Sequence, residues 1–123
     1  MLSIGSIVLG VSDVPRATAF WTRALGYVPR DEPEEHWVVL TPAEGEKGPH
    51  LSLGRSDVPP SARPRVHLDL YAGDAADQAA EVDRLLALGA RRVDWDSYPE
   101  DPDFVVLADP DGNLFCVIDT GRA

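Results

Sequence analysis

Cysteine is almost missing from this chain, since a single thiol, Cys116, occurs among 123 residues. One cysteine cannot form an intrachain disulfide, and proteins of the reducing cytosol are typically free of disulfides. We therefore expect a cytoplasmic protein. A chain of this length can bury a hydrophobic core large enough to stabilise one ordinary domain without such cross-links.

Basic residues are also scarce. The chain has 11 Lys and Arg against 21 Asp and Glu, and its formal net charge at pH 7 is −10. A nucleic-acid-binding surface needs basic residues that contact phosphates. The composition therefore argues against a nucleic-acid partner.

Long apolar runs and several well-known catalytic motifs are lacking too. No run approaches the roughly 20 residues that cross a bilayer, and MLSIGSIVLGVSD has no basic region like that of a signal peptide. We expect no membrane partner. A glycine-rich phosphate loop, a Gly-x-Ser-x-Gly elbow and a Cys-x-x-Cys pair are all absent, which argues against nucleotide-fold, serine-hydrolase and thioredoxin chemistry.

The sequence does contain one structural unit twice. SIVLGVSDVPRATAFWTRALGY predicts an alternating strand and then a helix that Ser12 or Asp13 caps and Gly26 ends. RVHLDLYAGDAADQAAEVDRLLALGA repeats this order, with Asp74 as the cap and Gly89 at the end. In the second strand, alternate side chains point to opposite faces, and one face carries His67, Asp69 and Tyr71.

The two copies keep a nearly constant spacing. The pairs that we match lie 59 to 67 residues apart: Ile7 and Val66, Gly26 and Gly89, Trp37 and Phe104, Leu51 and Phe115. This spacing predicts an α+β fold of two βαβββ modules that form a cupped mixed sheet with helices outside. We expect one domain over residues 1–123, made of modules 1–58 and 64–123 with a Pro-rich linker and a ligand cleft between them.

The motifs VSDVPRATAFWTRALGY, VHLDL and LADPDGNLFCVI give the chain a family resemblance. Over nearly its whole length it resembles the vicinal oxygen chelate superfamily, which includes glyoxalase I, bleomycin-resistance proteins, fosfomycin-resistance enzymes and extradiol dioxygenases. It is most similar to the small glyoxalase-like branch. The resemblance implies the fold described above and a homodimer, because dimers are common in this superfamily.

The resemblance also implies four metal-binding positions, which catalytic members fill with His, Glu or Gln. In this sequence those positions fall on Ser6, Ser52, His67 and Cys116. Serine hydroxyls are poor ligands for divalent metals, so we expect no complete metal site and no cofactor. A shifted metal set of His50, His67 and Asp69 is an alternative.

Several polar and aromatic residues are candidates for ligand binding. His67 and Asp69 lie two apart on one strand, so they could form a general base or hold a substrate amine; alternatively, they only satisfy each other in a polar interior. Cys116 is either a small buried residue or a reactive thiol. Aromatic residues, including Trp95 and Tyr98, either form the walls of a site for a planar ligand or pack in the core. The predicted ligand-binding set is Ser6, Trp37, His50, Ser52, His67, Asp69, Tyr71, Phe104 and Cys116.

Together these features predict a protein that binds a small organic ligand between its two modules without a complete metal site. The alternative is an enzyme with lyase, isomerase or dioxygenase-like activity. Such an enzyme would use His67 and Asp69 as catalytic residues, or a nonstandard metal site.

Overall fold

The computed structural model describes residues 1–122. The chain divides into two compact units, the first spanning Met1–Pro59 and the second beginning at Pro60. We refer to them as the first and second module. Each module is a βαβββ unit with one helix and one four-stranded mixed sheet, which confirms the predicted α+β fold class.

The first module contains four strands and a helix in the predicted order: β1 (Ser6–Val11), α1 (Val14–Leu25), β2 (Tyr27–Pro29), β3 (Trp37–Pro42) and β4 (His50–Arg55). The strand order across the sheet is β1-β4-β3-β2. β1 is parallel to β4, whereas β3 is antiparallel to both β4 and β2.

The second module repeats this arrangement with β5 (Leu68–Ala72), α2 (Ala75–Leu88), β6 (Arg91–Arg92), β7 (Phe104–Ala108) and β8 (Leu114–Asp119). A short 3-10 helix, Thr120–Arg122, follows β8. The strand order β5-β8-β7-β6 is equivalent to that of the first module, and β5 is again parallel to β8. The duplicated unit predicted from the sequence is therefore confirmed.

Both helices are capped by aspartates: of the two candidates for α1, Ser12 and Asp13, the cap is Asp13, and α2 has the predicted cap Asp74. Asp13 accepts a hydrogen bond of 3.0 Å from the backbone amide of Arg16, and Asp74 accepts one of 2.8 Å from that of Asp77. These contacts satisfy amides that have no partner within the helix. Gly26 ends α1 in the left-handed conformation at φ 71°, where residues with a Cβ are disfavoured.

Each helix packs an apolar face on its own sheet. In α1 the buried residues are Val14, Ala17, Phe20 and Trp21; Phe20 and Trp21 meet edge to face with ring centroids 5.0 Å apart. In α2 the buried residues are Val82 and Leu85. The apolar side chains of the third and fourth strand of each module complete the buried core.

The register corrects one feature of the predicted repeat. Ile7 was matched to Val66, but Ile7 pairs with Leu51, and the equivalent of Leu51 in the second module, Phe115, pairs with Leu68. Val66 lies outside β5 and is exposed. His67 likewise precedes β5 rather than lying within it, because pairing with β8 begins only at Leu68.

Neither α1 nor α2 could span a membrane. Within residues 1–122, no helix is long and apolar enough to cross a bilayer.

Candidate functional site

The second module forms a pocket of about 480 Å³ on one face of its sheet. Strand alternation places Leu114, Cys116 and Ile118 of β8 on this face. The neighbouring strand β7 adds Phe104 and Val106, and β5 adds Asp69 and Tyr71. His67, Trp95 and Asp103 line the rim from the segments before β5 and β7.

The strand register arranges these side chains in two adjacent rows. In the first row, Asp69 lies beside Cys116, and Cys116 lies beside Val106. In the second row, Tyr71 lies beside Ile118, and Ile118 lies beside Phe104. The first row has a carboxylate and a thiol, whereas the second is aromatic and apolar, so the pocket has a polar and an apolar half.

His67 and Asp69 are in direct contact, and they lie at the surface rather than in a polar interior. Nε2 of His67 lies 2.9 Å from Oδ1 of Asp69, and both side chains are about half exposed. In the tautomer that carries its proton on Nε2, the imidazole donates to the carboxylate and leaves Nδ1 for a further partner. The carboxylate fixes the orientation of the imidazole at the mouth of the pocket.

Cys116 is a protonated thiol at the floor of the pocket. Its side chain is only 8% exposed. Burial raises the pKa of this thiol from the ordinary value of 9.0 to about 11, and the neighbouring Asp69 adds to the effect. The side chain therefore carries almost no thiolate at neutral pH.

The predicted residues of the first module form a separate group. Ser6 and Ser52 share a hydrogen bond of 2.7 Å between their hydroxyl oxygens, and Ser52 is buried. His50 is the register partner of Ser6, and the ring of Trp37 lies over Gly54. The structure thus brings Ser6, Ser52 and His50 together on one sheet, while His67, Asp69, Tyr71, Phe104 and Cys116 come together on the other.

The four family metal positions do not fit a divalent metal. Ser6 and Ser52 are neutral hydroxyls that already bond each other, and the Cys116 thiol holds its proton. A different cluster, His67, Asp69 and Cys116, has donor atoms within 4.8 Å of one another. In that cluster the carboxylate is already bonded to His67 and the thiol holds its proton, so a metal would have to displace both.

Trp95 and Tyr98, the other aromatic candidates, differ in their surroundings. Trp95 lines the pocket, and the guanidinium of Arg63 lies 4.6 Å from its ring centroid. Tyr98 packs on Phe104 at 5.2 Å, and its hydroxyl accepts a hydrogen bond from the amide of Val106. Tyr98 therefore supports the wall of the pocket and the strand behind it.

Sequence reasoning missed several pocket residues. Leu114, Val106 and Ile118 share the face of Cys116 and Phe104, so strand alternation alone could have identified them. Asp103 and Ser97 belong to the irregular segment between β6 and β7, which carries no periodic signal. Only the structure shows that Asp103 and Ser97 line the pocket.

Comparison with known proteins supports the fold. The nuclear magnetic resonance structure of a protein from Agrobacterium tumefaciens matches with a TM-score of 0.76 at 20% identity, covering 97% of this chain and 98% of the other. A glyoxalase/bleomycin resistance protein/dioxygenase family enzyme from Burkholderia phytofirmans matches with a TM-score of 0.74 at 13% identity, covering 94% and 97%. Lactoylglutathione lyase from Agrobacterium tumefaciens matches with a TM-score of 0.64 at 21% identity, covering 99% and 96%.

These identities show a shared fold and do not transfer an activity. No curated protein matches the chain at a significant level. A family model described as a glyoxalase-like domain matches residues 6–118, which is nearly the whole chain. The chain therefore belongs to the glyoxalase-like domain family.

Proposed function

We propose that this protein binds a small organic ligand in the pocket of its second module and needs no resident metal to do so. The observation that carries the proposal is the pocket itself. Its volume of about 480 Å³ lies in the range of small-molecule sites, and it combines apolar walls with a few convergent polar groups. His67, Asp69 and Cys116 are those polar groups: their polar atoms lie within 4.8 Å of one another, and His67 is hydrogen-bonded to Asp69.

A fragment screen followed by protein-observed nuclear magnetic resonance tests the proposal. We expect fragments to shift the amide signals of Asp69, Val106 and Ile118. The Ile118→Trp variant should abolish these shifts by filling the pocket, whereas Val28→Trp adds the same ring to an exposed strand of the first module and should leave them unchanged. If no fragment shifts pocket amides of the unmodified protein, the proposed function is wrong.

Metal analysis tests the second half of the proposal. The purified protein is incubated with Zn²⁺ or Ni²⁺, passed through a desalting column and analysed for bound metal. We expect less than stoichiometric retention, with no difference between His67→Ala and His36→Ala, which removes an exposed histidine outside the pocket. Stoichiometric binding that only His67→Ala abolishes would contradict a metal-free site.

A second candidate function is metal-free acid–base catalysis at the same residues. The contact of 2.9 Å between His67 and Asp69 favours it, because a carboxylate that orients an imidazole leaves Nδ1 free to take a proton from a bound substrate. Lactoylglutathione is a reasonable first compound to test, given the fold shared with a lactoylglutathione lyase.

Turnover of lactoylglutathione can be followed by nuclear magnetic resonance, with Asp69→Asn as the variant and Asp83→Asn as an exposed control on α2. Catalysis by the pair predicts a loss of at least tenfold in Asp69→Asn alone. Equal turnover in both variants would exclude Asp69 from catalysis.

The homodimer and the cytoplasmic location stay predictions from the family and from the cysteine content. Size-exclusion chromatography with light scattering tests the first. A mass twice the 13.3 kDa of one chain is the expected result.

A further inference from the structure

We propose that the ligand of this pocket is an organic cation, a protonated amine carried on an aromatic or apolar body. This inference rests on the proposed function and adds the chemical class of the ligand. It follows from the charges around the pocket, from the contacts of Asp69 and from the position of the aromatic side chains.

The lining of the pocket has carboxylates but no permanent cation. Asp69 and Asp103 line it together with His67, and neither Lys nor Arg is among the lining residues of the described chain. The guanidinium of Arg63 lies over Trp95 and forms an ion pair with Asp96. An anionic ligand would therefore face repulsion from carboxylates without a compensating cation.

Asp69 is placed to receive a cationic head. Its carboxylate lies 2.9 Å from Nε2 of His67, and the side chain lines the pocket and is still about half exposed. An ammonium group there would gain a charge-assisted hydrogen bond to a carboxylate that His67 already orients.

The aromatic row lies one step further along the strands. Tyr71 is two residues beyond Asp69 on the same face, and it is 79% exposed, although a large aromatic side chain usually packs in the core. Ile118 and Phe104 continue the row across the sheet. Two residues of a strand span roughly 6.6 Å, so an amine at Asp69 would have its ring between Tyr71 and Phe104 at about that distance.

The net charge of the whole protein also favours a cationic ligand. A formal charge of −10 creates a negative potential that attracts cations and slows the approach of anions. This long-range effect is screened by salt, whereas the contact with Asp69 is local.

Three compounds of one shape test the inference: 3-phenylpropylamine, 3-phenylpropan-1-ol and 3-phenylpropanoate. They share the ring and the chain length, which matches the spacing of the two rows, and they differ in the charge of the head group. Binding is measured from amide shifts at Asp69, Val106 and Ile118 in the full chain. Asp69→Asn is compared with Asp83→Asn, which makes the same charge change on an exposed face of α2.

We expect the amine to bind most tightly and the carboxylate most weakly. Asp69→Asn should weaken the amine about tenfold and leave the alcohol unchanged, because only the amine makes an ionic hydrogen bond. Asp83→Asn should bind the amine like the unmodified protein. Retained folding of both variants is checked by their amide spectra.

The possible failures are distinguishable. If the alcohol or the carboxylate binds as tightly as the amine, or if the amine binds equally well to Asp69→Asn, the cation inference is wrong and the binding pocket stands. If neither these compounds nor the fragment screen shifts any pocket amide, the proposed function is wrong and the inference falls with it.

Discussion

The reactivity of Cys116 is the sharpest consequence of the site geometry. Thiols are alkylated as thiolates, and a pKa raised from 9.0 to about 11 lowers the thiolate fraction about a hundredfold at any pH well below both values. We expect iodoacetamide to label the folded protein at least about a hundredfold more slowly than the same protein unfolded in urea. Burial of the side chain slows the reaction further. Mass spectrometry of the single-cysteine chain gives both rates directly.

Two variants separate the causes of the raised pKa. Asp69→Asn removes the negative charge beside the thiol but leaves burial, the largest cause, in place. Labelling of Asp69→Asn should therefore become severalfold faster without reaching the unfolded rate. Asp83→Asn has the same change in net charge on an exposed helix face and should label like the unmodified protein.

Adding zinc tests the alternative that Cys116 binds a metal as a thiolate. A thiolate that binds metal would release a proton and be protected from alkylation. We expect no change in labelling rate when Zn²⁺ is added. Labelling as fast as in the unfolded chain, or labelling that zinc suppresses, would refute the assignment of Cys116 as a buried, protonated thiol.

Three further predictions concern stability, measured by urea unfolding. Between pH 9 and about pH 11 the folded state holds the Cys116 proton that the unfolded state has lost. Relative to Cys116→Ala, the free energy of unfolding should therefore be constant below pH 9, fall by about 1.4 kcal/mol per pH unit from pH 9 to 11, and level off above that; parallel pH profiles would contradict this. Gly112→Ala should lower the free energy of unfolding by about 3 kcal/mol, because φ is 94° and a Cβ would lie 2.9 Å from Pro60. Gly26→Ala, at φ 71° with open space around it, should lower it by only about 1 kcal/mol. Equal losses in the two variants would exclude the clash at Gly112. Asp109→Ala should cost about 2 to 3 kcal/mol, because this fully buried carboxylate accepts two backbone amides of its own turn; a cost below about 0.5 kcal/mol would show that water replaces it.

Much of the fold was predictable because its signals are local. The helix caps Asp13 and Asp74 and the terminal glycines act on their own turns, so their roles can be read without knowing the tertiary structure. The order of strands and helix along each module followed from the repeat, whereas the order of strands across each sheet was not predicted. The matching of Ile7 to Val66 failed, because the apolar alternation continues through Val66 although the partner strand pairs only from Leu68 onwards.

The site was predictable only in part for the same reason. Alternation along one strand correctly placed His67, Asp69 and Tyr71 on a common face. The contact of Asp69 with Cys116 depends on the parallel register of β5 and β8, which lie more than 40 residues apart in sequence and are aligned only by folding. Asp103 comes from an irregular segment, where no periodicity indicates which side chains reach the pocket.

Equivalent positions of the two modules have different side chains. In the first module, Val8 lies beside Ser52 and Gly10 beside Gly54. The equivalent pairs in the second module are Asp69 with Cys116 and Tyr71 with Ile118.

One strand has thus kept an aliphatic residue and a glycine where the other has a carboxylate and a phenol. A symmetric metal site would need equivalent ligands from both strands, and β1 offers only the hydroxyl of Ser6 on that face, bonded to Ser52. The carboxylates, the imidazole and the aromatic groups that line the pocket belong to the second module. This asymmetry supports the proposal that the second module recognises a ligand and argues against metal chelation by two equivalent halves.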